Sequence, residues 1–524
     1  MNPALSGWKK GNRPTERAIF AVRSWVSNLD HQLALLILIF TLPLSLKALQ
    51  SFFTFDDLMN LHYYVQRPWS SVLANLIVFT SLHRPLGALL YLPLYATVGM
   101  VPWPYYLIGI LFFSANVLLT FELIRRLTRS RFVTVLATTL FALHPMIHNV
   151  LYNFGAVYEL TSLTFLLSST ILFIRWSDGS GAGLGSAGET GIPAFREPTP
   201  EAHLRRVRRR NYALSLLLFV AALNAKETAV TLPGILFCFL WLYGPRGADR
   251  RQRVWNSLRP VLPFLLIAVP YTLAKTMGAE AYWRSNPLYV YHFDSTIPSN
   301  LAGYLGFVTN REISFSPAMC GLVLGLVLLT GVLLKNRALL FGLGWAGLTL
   351  LPVLPLPRLW ELFLYLPLVG FSLSTSALIS DLGRRCLRPF PLSKLLAKPP
   401  GRWLTLVLTA LFLLRILGAM SPDIDHARRL LYQERNPAWR PFTHQLYQLY
   451  PNLPPGSVLA FEAPPFNPKN EERWCLHFLV RLRYGDGVRV LRLPEDQRKL
   501  KDTVRRGVRV HLLRWDGTNL LVEE

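Results

Sequence analysis

The stretch PLGALLYLPLYATVGMV, residues 85–101, decides the topology of the whole chain. It is apolar and close to the ~20 residues that a helix needs to cross ~30 Å of hydrocarbon. Eleven other apolar runs accompany it: 31–49, 105–124, 132–149, 158–175, 211–223, 228–243, 257–275, 318–334, 338–356, 361–380 and 403–420. If 85–101 is a twelfth span, every loop after it changes side. The basic residues arbitrate, because Lys and Arg in short loops stay on the cytoplasmic side.

Suppose 85–101 does not span and the N-terminus is cytoplasmic. Then RRLTRSR (125–131), the stretch ending in RRVRRR (205–210), GPRGADRRQR (244–253), KNR (335–337) and GRRCLRPFPLSKLLAKPPGR (383–402) all fall inside. The outer loops before residue 420 hold few cations, such as Arg67, Arg84, Arg284, Arg311 and Arg358. The opposite assignment translocates most of the short basic loops, against the usual bias. The run 85–101, with Pro85, Gly87, Pro93 and Gly99, therefore reads as a helix lying at or dipping into the outer face.

The bulk composition agrees. A soluble chain of 524 residues would divide into several domains with polar surfaces, yet 52% of this one is hydrophobic. The fold class that follows is an all-α polytopic membrane protein, with about eleven transmembrane helices and an outer juxtamembrane helix. Only helices satisfy every backbone group within one such segment. A net charge of +25 would suggest nucleic acid in a soluble protein. Here the charge lies in short loops, so its partners are anionic membrane lipids and no nucleic acid is expected.

Residues 1–30 are polar and basic, with no cleavable signal pattern. The transmembrane region runs from 31 to 420, with a first outer loop at 50–104. A Gly/Ser/Pro-rich cytoplasmic stretch, 177–210, reads as a flexible linker and lacks the Gly-Lys-Ser/Thr ending of a phosphate loop. Residues 421–524 alternate strand-like pieces, SVLAFEA, VRVLRL and VRVHLLRW, with a helical WCLHFLVRLRYG. They read as a small outer α/β domain. Cys238, Cys320, Cys386 and Cys475 are scattered, which supports neither a disulfide framework nor a zinc site.

Five polar groups gather on the outer side. Asp56 and Asp57 follow the first span in FTFDDLMN (53–60). They suit a helix N-cap and first turn, or a general base or metal-binding pair at the membrane boundary. His83 and Arg84 in SLHRPLG (81–87) precede the juxtamembrane helix. Arg84 there either snorkels to headgroups or holds a phosphate with its guanidinium fork. His144, His148, Asn153 and Glu159 crowd LHPMIHNVLYNFGAVYE (143–159), where Pro145 argues against metal chelation by the two histidines. If continuous, 211–243 would make a helix of ~50 Å, too long for one span. Asn224, Lys226 and Glu227 therefore stand at a tight turn between two spans, where Lys226 and Glu227 pair with each other or contact substrate. Arg358 and Glu361 stand one helical turn apart in PLPRLWELFLYLPLVG (355–370), either paired together or offering a second cation to the same anion.

Taken in order, these motifs resemble the GT-C membrane glycosyltransferases, which include protein O-mannosyltransferases, aminoarabinose transferases and oligosaccharyltransferase catalytic subunits. FDD (55–57) is similar to their acidic motif, and SLHRPLG (81–87) to the element that opens their juxtamembrane helix. FALHP (141–145), AKETAVTLP (225–233) and ELFLYLPLVG (361–370) look most like the tetratricopeptide-bearing O-mannosyltransferase branch. The chain departs from that branch in two ways. Leu362 and Phe363 replace its usual Arg-Tyr, with Arg358 a turn earlier able to substitute, and no tetratricopeptide repeats follow.

The resemblance implies transfer of a sugar from a polyprenyl-phosphate-linked donor to a protein, lipid or glycan acceptor, with inversion. Asp56 would be the base. Asp57 would orient the acceptor or a metal. His83, Arg84, Lys226 and Arg358 would hold the donor phosphate. His144, Glu227 and Glu361 would support them. No cofactor is certain, and a divalent metal on Asp56 and Asp57 stays open. The location implied is a bacterial inner membrane with the site facing the periplasm, or an ER membrane facing the lumen. Two rivals remain: a non-catalytic protein that binds lipid-linked sugars or supports a glycan-assembly complex, and, more weakly, a transporter.

Overall fold

A computed structural model of the chain describes residues 28–78, 84–178, 201–245, 249–277, 287–386, 399–428 and 437–523. The N-terminal basic segment, His83 and most of the 177–210 linker lie outside them, as does the side chain of His148.

Helix α1 (Leu29–Leu46) passes through a 3₁₀ turn (Lys47–Gln50) to α2 (Phe55–Val65), α3 (Trp69–Val78) and α4 (Pro85–Val98). Then come α5 (Trp103–Thr128), α6 (Arg131–Ala142), α7 (Pro145–Tyr152), α8 (Val157–Ser177) and α9 (Glu201–Ala225). They are followed by α10 (Leu232–Tyr243), α11 (Arg250–Leu258), α12 (Leu262–Met277), α13 (Thr296–Val308), α14 (Pro317–Leu333), α15 (Arg337–Leu350), α16 (Tyr365–Cys386) and α17 (Pro399–Arg428). Among the described residues, Leu29–Gln50, Trp103–Thr128, Phe154–Ser177, Arg250–Met277 and Glu361–Arg385 are long and apolar enough to cross a membrane, with shorter apolar helices beside them. Large apolar side chains such as Leu266 (74% exposed) and Leu333 (70%) face outward. Such a coat suits lipid and would be a liability in water. The chain is a mostly helical integral membrane protein.

Three expectations are corrected. The run 132–149 is not one helix: α6 ends at Ala142, and Pro145 opens α7 at its first position, where its missing N–H costs nothing. Residues 201–210 are the first turns of α9, so the RRVRRR cluster is helical and no linker. Helix α17 runs to Arg428, past the expected boundary at 420.

Helix α4 lies across one end of the bundle. At its start, Arg84 takes a left-handed backbone (φ 50°, ψ 67°), and its carbonyl accepts a bond from Tyr64 OH (3.0 Å). At its other end, Gly99 O accepts from Tyr105 OH (2.9 Å), and Tyr95 OH donates to Leu482 O. In between, Tyr91 packs on Phe154 with ring centroids 5.0 Å apart. Helix α4 thus meets α2 at its start, the segment that joins α7 to α8 at its middle, and α5 and the C-terminal region at its end. At ~1.5 Å per residue a helix of this length is also too short for the hydrocarbon.

The far end of the bundle is basic. Glu122 accepts from Arg125 (2.8 Å) and Arg126 (2.5 Å), while Asp30 pairs with Arg131 (2.6 Å).

The C-terminal region folds as α18 (Trp439–Leu449), β1 (Val458–Glu462), α19 (Cys475–Tyr484), β2 (Arg489–Leu493), α20 (Gln497–Arg505), β3 (Val510–Trp515) and β4 (Leu520–Glu523). Strand order is β2-β1-β3-β4, with the first three parallel and β4 antiparallel. Helices α19 and α20 supply the crossovers that parallel strands need. The unit seats on the same end as α4: Arg440 donates to Gln50 O (3.0 Å) and Ser51 O (3.1 Å), and Gln66 to Asp486 (3.3 Å).

Candidate active site

The site is built on the start of α2. Thr54 has an extended backbone and caps the helix: its Oγ1 accepts from Asp57 N–H (3.4 Å), and Asp57 Oδ2 accepts from Thr54 N–H (2.7 Å). This reciprocal box satisfies two donors that a helix start leaves orphaned. Gly155 N–H donates to the other oxygen, Oδ1, and Tyr106 OH reaches Oδ2 at 3.1 Å. Asp57 is fully buried, with both oxygens engaged. Of its two expected roles, it occupies the capping one.

Asp56 differs from its neighbour. It is partly exposed, and Asn153 Nδ2 donates to its Oδ2 (3.1 Å). Asn153 is itself aimed by Thr54, whose hydroxyl donates to Asn153 Oδ1 (3.1 Å). Asp56 Oδ1 has no protein donor among the described residues. One carboxylate oxygen is therefore fixed in direction and the other left open.

Burial pushes the Asp57 carboxyl up from 3.8 to about 7, against the pull of its N–H donors. Tyr106 OH also donates to Phe52 O (2.7 Å), and one hydroxyl proton cannot serve both acceptors, which fits a proton on the carboxyl. The folded state binds this proton more tightly than the unfolded chain. The stability from Asp57 is thus full below about pH 3.8 and is lost as pH rises through about 7. Asp57→Asn keeps a neutral, capping-competent side chain, so thermal melting of that variant should depend less on pH between about 4 and 7 than wild type.

Residues 144–159 join all the motifs. Asn149 Nδ2 donates to Glu361 (2.5 Å), Asn153 holds Asp56 and Gly155 holds Asp57. The Tyr158 ring lies 4.8 Å under the Arg84 guanidinium, its hydroxyl is 3.0 Å from Tyr64 OH, and Glu159 pairs with Lys226. Gly155 has to be small, because a Cβ there would sit 2.5 Å from Asp56 Cβ and 2.9 Å from Asn153 Oδ1. Gly155→Ala should move Asp56 off its position and cost ~1–3 kcal/mol of stability. Melting temperature and transfer rate should fall together in that variant.

The cations are paired in a pattern that sequence neighbours do not suggest. Arg84 Nε lies 3.3 Å from both Glu227 oxygens and an Arg84 Nη lies 3.1 Å from one. Lys226 pairs instead with Glu159, both about 5% exposed, and sits 4.8 Å over the Phe363 ring. The expected Lys226–Glu227 pair does not form, because Lys226 has an extended backbone (φ −156°, ψ 143°) that sends adjacent side chains apart. Nor does Arg358–Glu361: the helical turn starts only at Glu361, which accepts from Arg311 and Asn149. Arg358 is half-buried and stacks over Trp360 (4.0 Å), and among the described residues no carboxylate pairs with it.

His144 stands at the N-cap position of α7 with no side-chain bond to the helix start, and its Nε2 lies 3.1 Å from Val308 O, a structural placement. Among the described residues no three His, Cys, Asp or Glu side chains are grouped to hold a metal ion. With Asp57 closed by its own donors, the Asp56–Asp57 pair does not fit a divalent cation, and no step below uses one. Residues that sequence reasoning missed are Tyr64, Tyr106, Asn149, Gly155 and Tyr158. Tyr64 was within reach of it: it lies two turns after Asp57 on the same face of α2.

No family model matches the chain, and no curated protein matches it in sequence. Two solved structures resemble it in shape. One is the archaeal oligosaccharyltransferase AglB from Archaeoglobus fulgidus, in complex with an inhibitory peptide and a dolichol-phosphate, at TM-score 0.44 and 12% identity. That likeness covers 92% of this chain and 69% of the other. The second is ArnT from Cupriavidus metallidurans in the apo state, at TM-score 0.47 and 13% identity, covering 95% of this chain and 94% of the other. At these scores neither likeness fixes an activity.

Proposed function

We propose that this end of the bundle is the active site of a membrane glycosyltransferase, moving a sugar from a polyprenyl-phosphate carrier to an acceptor on the periplasmic or lumenal side. The observation that carries the reading is Asp56: a carboxylate aimed by Asn153 with one oxygen open, on the end opposite the basic loops. Asp56 takes the proton of the acceptor hydroxyl. The acceptor oxygen bonds to the anomeric carbon from the face opposite the leaving group, inverting it. The carbon–oxygen bond to phosphate breaks, and polyprenyl phosphate departs with the electron pair. Such a leaving group needs its charge held more than it needs a proton.

Arg358 is the first choice for that charge, since among the described residues no carboxylate pairs with its guanidinium. A path of contacts links it to the rest: Arg358 over Trp360, Trp360 to Phe363 (5.4 Å), and Phe363 under Lys226. Arg84 becomes available if the donor phosphate displaces Glu227. Lys226 acts as a support, holding Glu159 and the break between α9 and α10. His83 stays a candidate donor contact from its place beside Arg84 in sequence. Arg358→Gln should lower transfer by ~10²-fold with unchanged expression. A smaller effect than that of Arg84→Gln would reverse their ranking.

The engagement of Arg84 and Lys226 by internal carboxylates favours a second reading, a non-catalytic binder of lipid-linked sugars. Comparing extracted lipid-linked sugars with and without the gene separates the two. Loss of an enzyme should leave one polyprenyl-phosphate sugar accumulated and one surface glycan missing. Unchanged lipid-linked sugars and glycans would contradict transfer.

A further inference from the structure

The acidic motif uses α2, but the C-terminal unit offers a cavity of its own beside it. A groove of about 400 Å³ opens between α19, β2 and α20. Four cations line it, Arg481, Arg489, Lys499 and Arg506, against two carboxylates, Asp486 and Asp502. Arg489 and Arg506 are exposed, and among the described residues no carboxylate pairs with either. Lys499 reaches outward to Asp496 (2.8 Å). Arg481 Nε is buried 3.4 Å from Asp486 Oδ1, close enough to pair as charges yet making no hydrogen bond. The groove therefore holds excess positive charge and a buried N–H without an acceptor. Unpaired guanidinium forks and a starved donor are what a phosphate or carboxylate satisfies.

The wall of the groove touches the helix that carries the proposed site. His477, on its wall, faces the His62 ring of α2 at 6.4 Å, and the next residue, Phe478, packs on His62 (4.9 Å) and Phe55 (6.1 Å). Phe55 directly precedes Asp56. Arg481 is about one turn of α19 beyond His477, a reach of ~6 Å. Accordingly, an anion bound to Arg481, Arg489 and Arg506 would lie along α2 from the base, as a remote part of the same acceptor.

We propose that this groove binds an anionic group of the acceptor, so that the acceptor class is one bearing phosphate or carboxylate. This rests on the transferase reading above. The test uses the full chain in detergent, with inorganic tripolyphosphate as the probe and calorimetry as the readout. Wild type should bind it, and the double variant R489E/R506E should bind at least ~10-fold more weakly. Asp56→Asn should bind like wild type, so the groove is read independently of catalysis. In cells lacking the gene, R489E/R506E should fail to clear the accumulated lipid-linked sugar. If that variant misfolds by gel filtration, Arg489→Gln with Arg506→Gln should show the same direction of change.

No binding by wild type, or equal binding by the variants, overturns the groove. Lost binding with normal clearance overturns its acceptor role. Nanodiscs of phosphatidylcholine with and without phosphatidylglycerol separate the sources. Displacement of tripolyphosphate by phosphatidylglycerol would assign the groove to bulk lipid headgroups and overturn the acceptor role, whereas undiminished binding supports it.

Discussion

Asp56→Asn should abolish transfer while leaving the protein inserted and folded. The asparagine carbonyl can still accept the bond that Asn153 Nδ2 gives to Asp56 Oδ2 at 3.1 Å, so the local geometry survives. The basic lone pair does not. General-base catalysis of this kind contributes ~10²–10⁴-fold, and the loss should fall in kcat with little change in donor KM. The capping box belongs to Thr54 and Asp57, which is why the melting temperature should hold. A variant with wild-type rate would remove Asp56 from the chemistry.

The largest effect on stability should come from Lys226→Met. Lys226 and Glu159 are paired with about 5% exposure each, where α9 breaks into α10. Removing the lysine leaves a buried carboxylate without a counter-charge, a loss of ~3–5 kcal/mol. Removing both charges, in Lys226→Met with Glu159→Leu, should recover most of it, because the unpaired charge and not the missing bond carries the cost. The signature is strong non-additivity in a double-mutant cycle read by thermal melting in detergent. Additive losses would mean that the two charges do not meet.

Much of this architecture was legible as residues. The positive loops argued that 85–101 is a helix at or dipping into the outer face, and α4 is a short helix whose two ends bond to α2 and α5. The excess length of 211–243 required a break, which falls at Ala225–Lys226. The pairing within the site was not legible. A sequence lists Lys226 beside Glu227 and Arg358 a turn from Glu361, and both suggest neighbours as partners. An extended residue at 226 and a helix that starts only at 361 point those side chains elsewhere. The hub was hidden for another reason: Asn149, Gly155 and Tyr158 act through a bend after Asn153 that carries no charge pattern. Asp57 could be read either as cap or as ligand, and the donor from Gly155 in the α7–α8 segment is one that no sequence pattern announces.

Orientation is where the mechanism is most exposed. In a chain freed of its native cysteines, single cysteines at the exposed positions Ser70, Glu312 and Lys335 can be challenged with a membrane-impermeant thiol reagent on intact cells or sealed vesicles. Ser70 follows the acidic helix, Glu312 adjoins the Arg311–Glu361 pair, and Lys335 stands at the opposite end beside the Asn336–Asp381 bond. Labelling of 70 and 312 from the periplasmic or lumenal side, with 335 reached only from the cytoplasm, is the expected result. Residues 70 and 312 labelled from opposite sides, or both from the cytoplasm, would break the shared vestibule on which Asp56 and Arg358 depend.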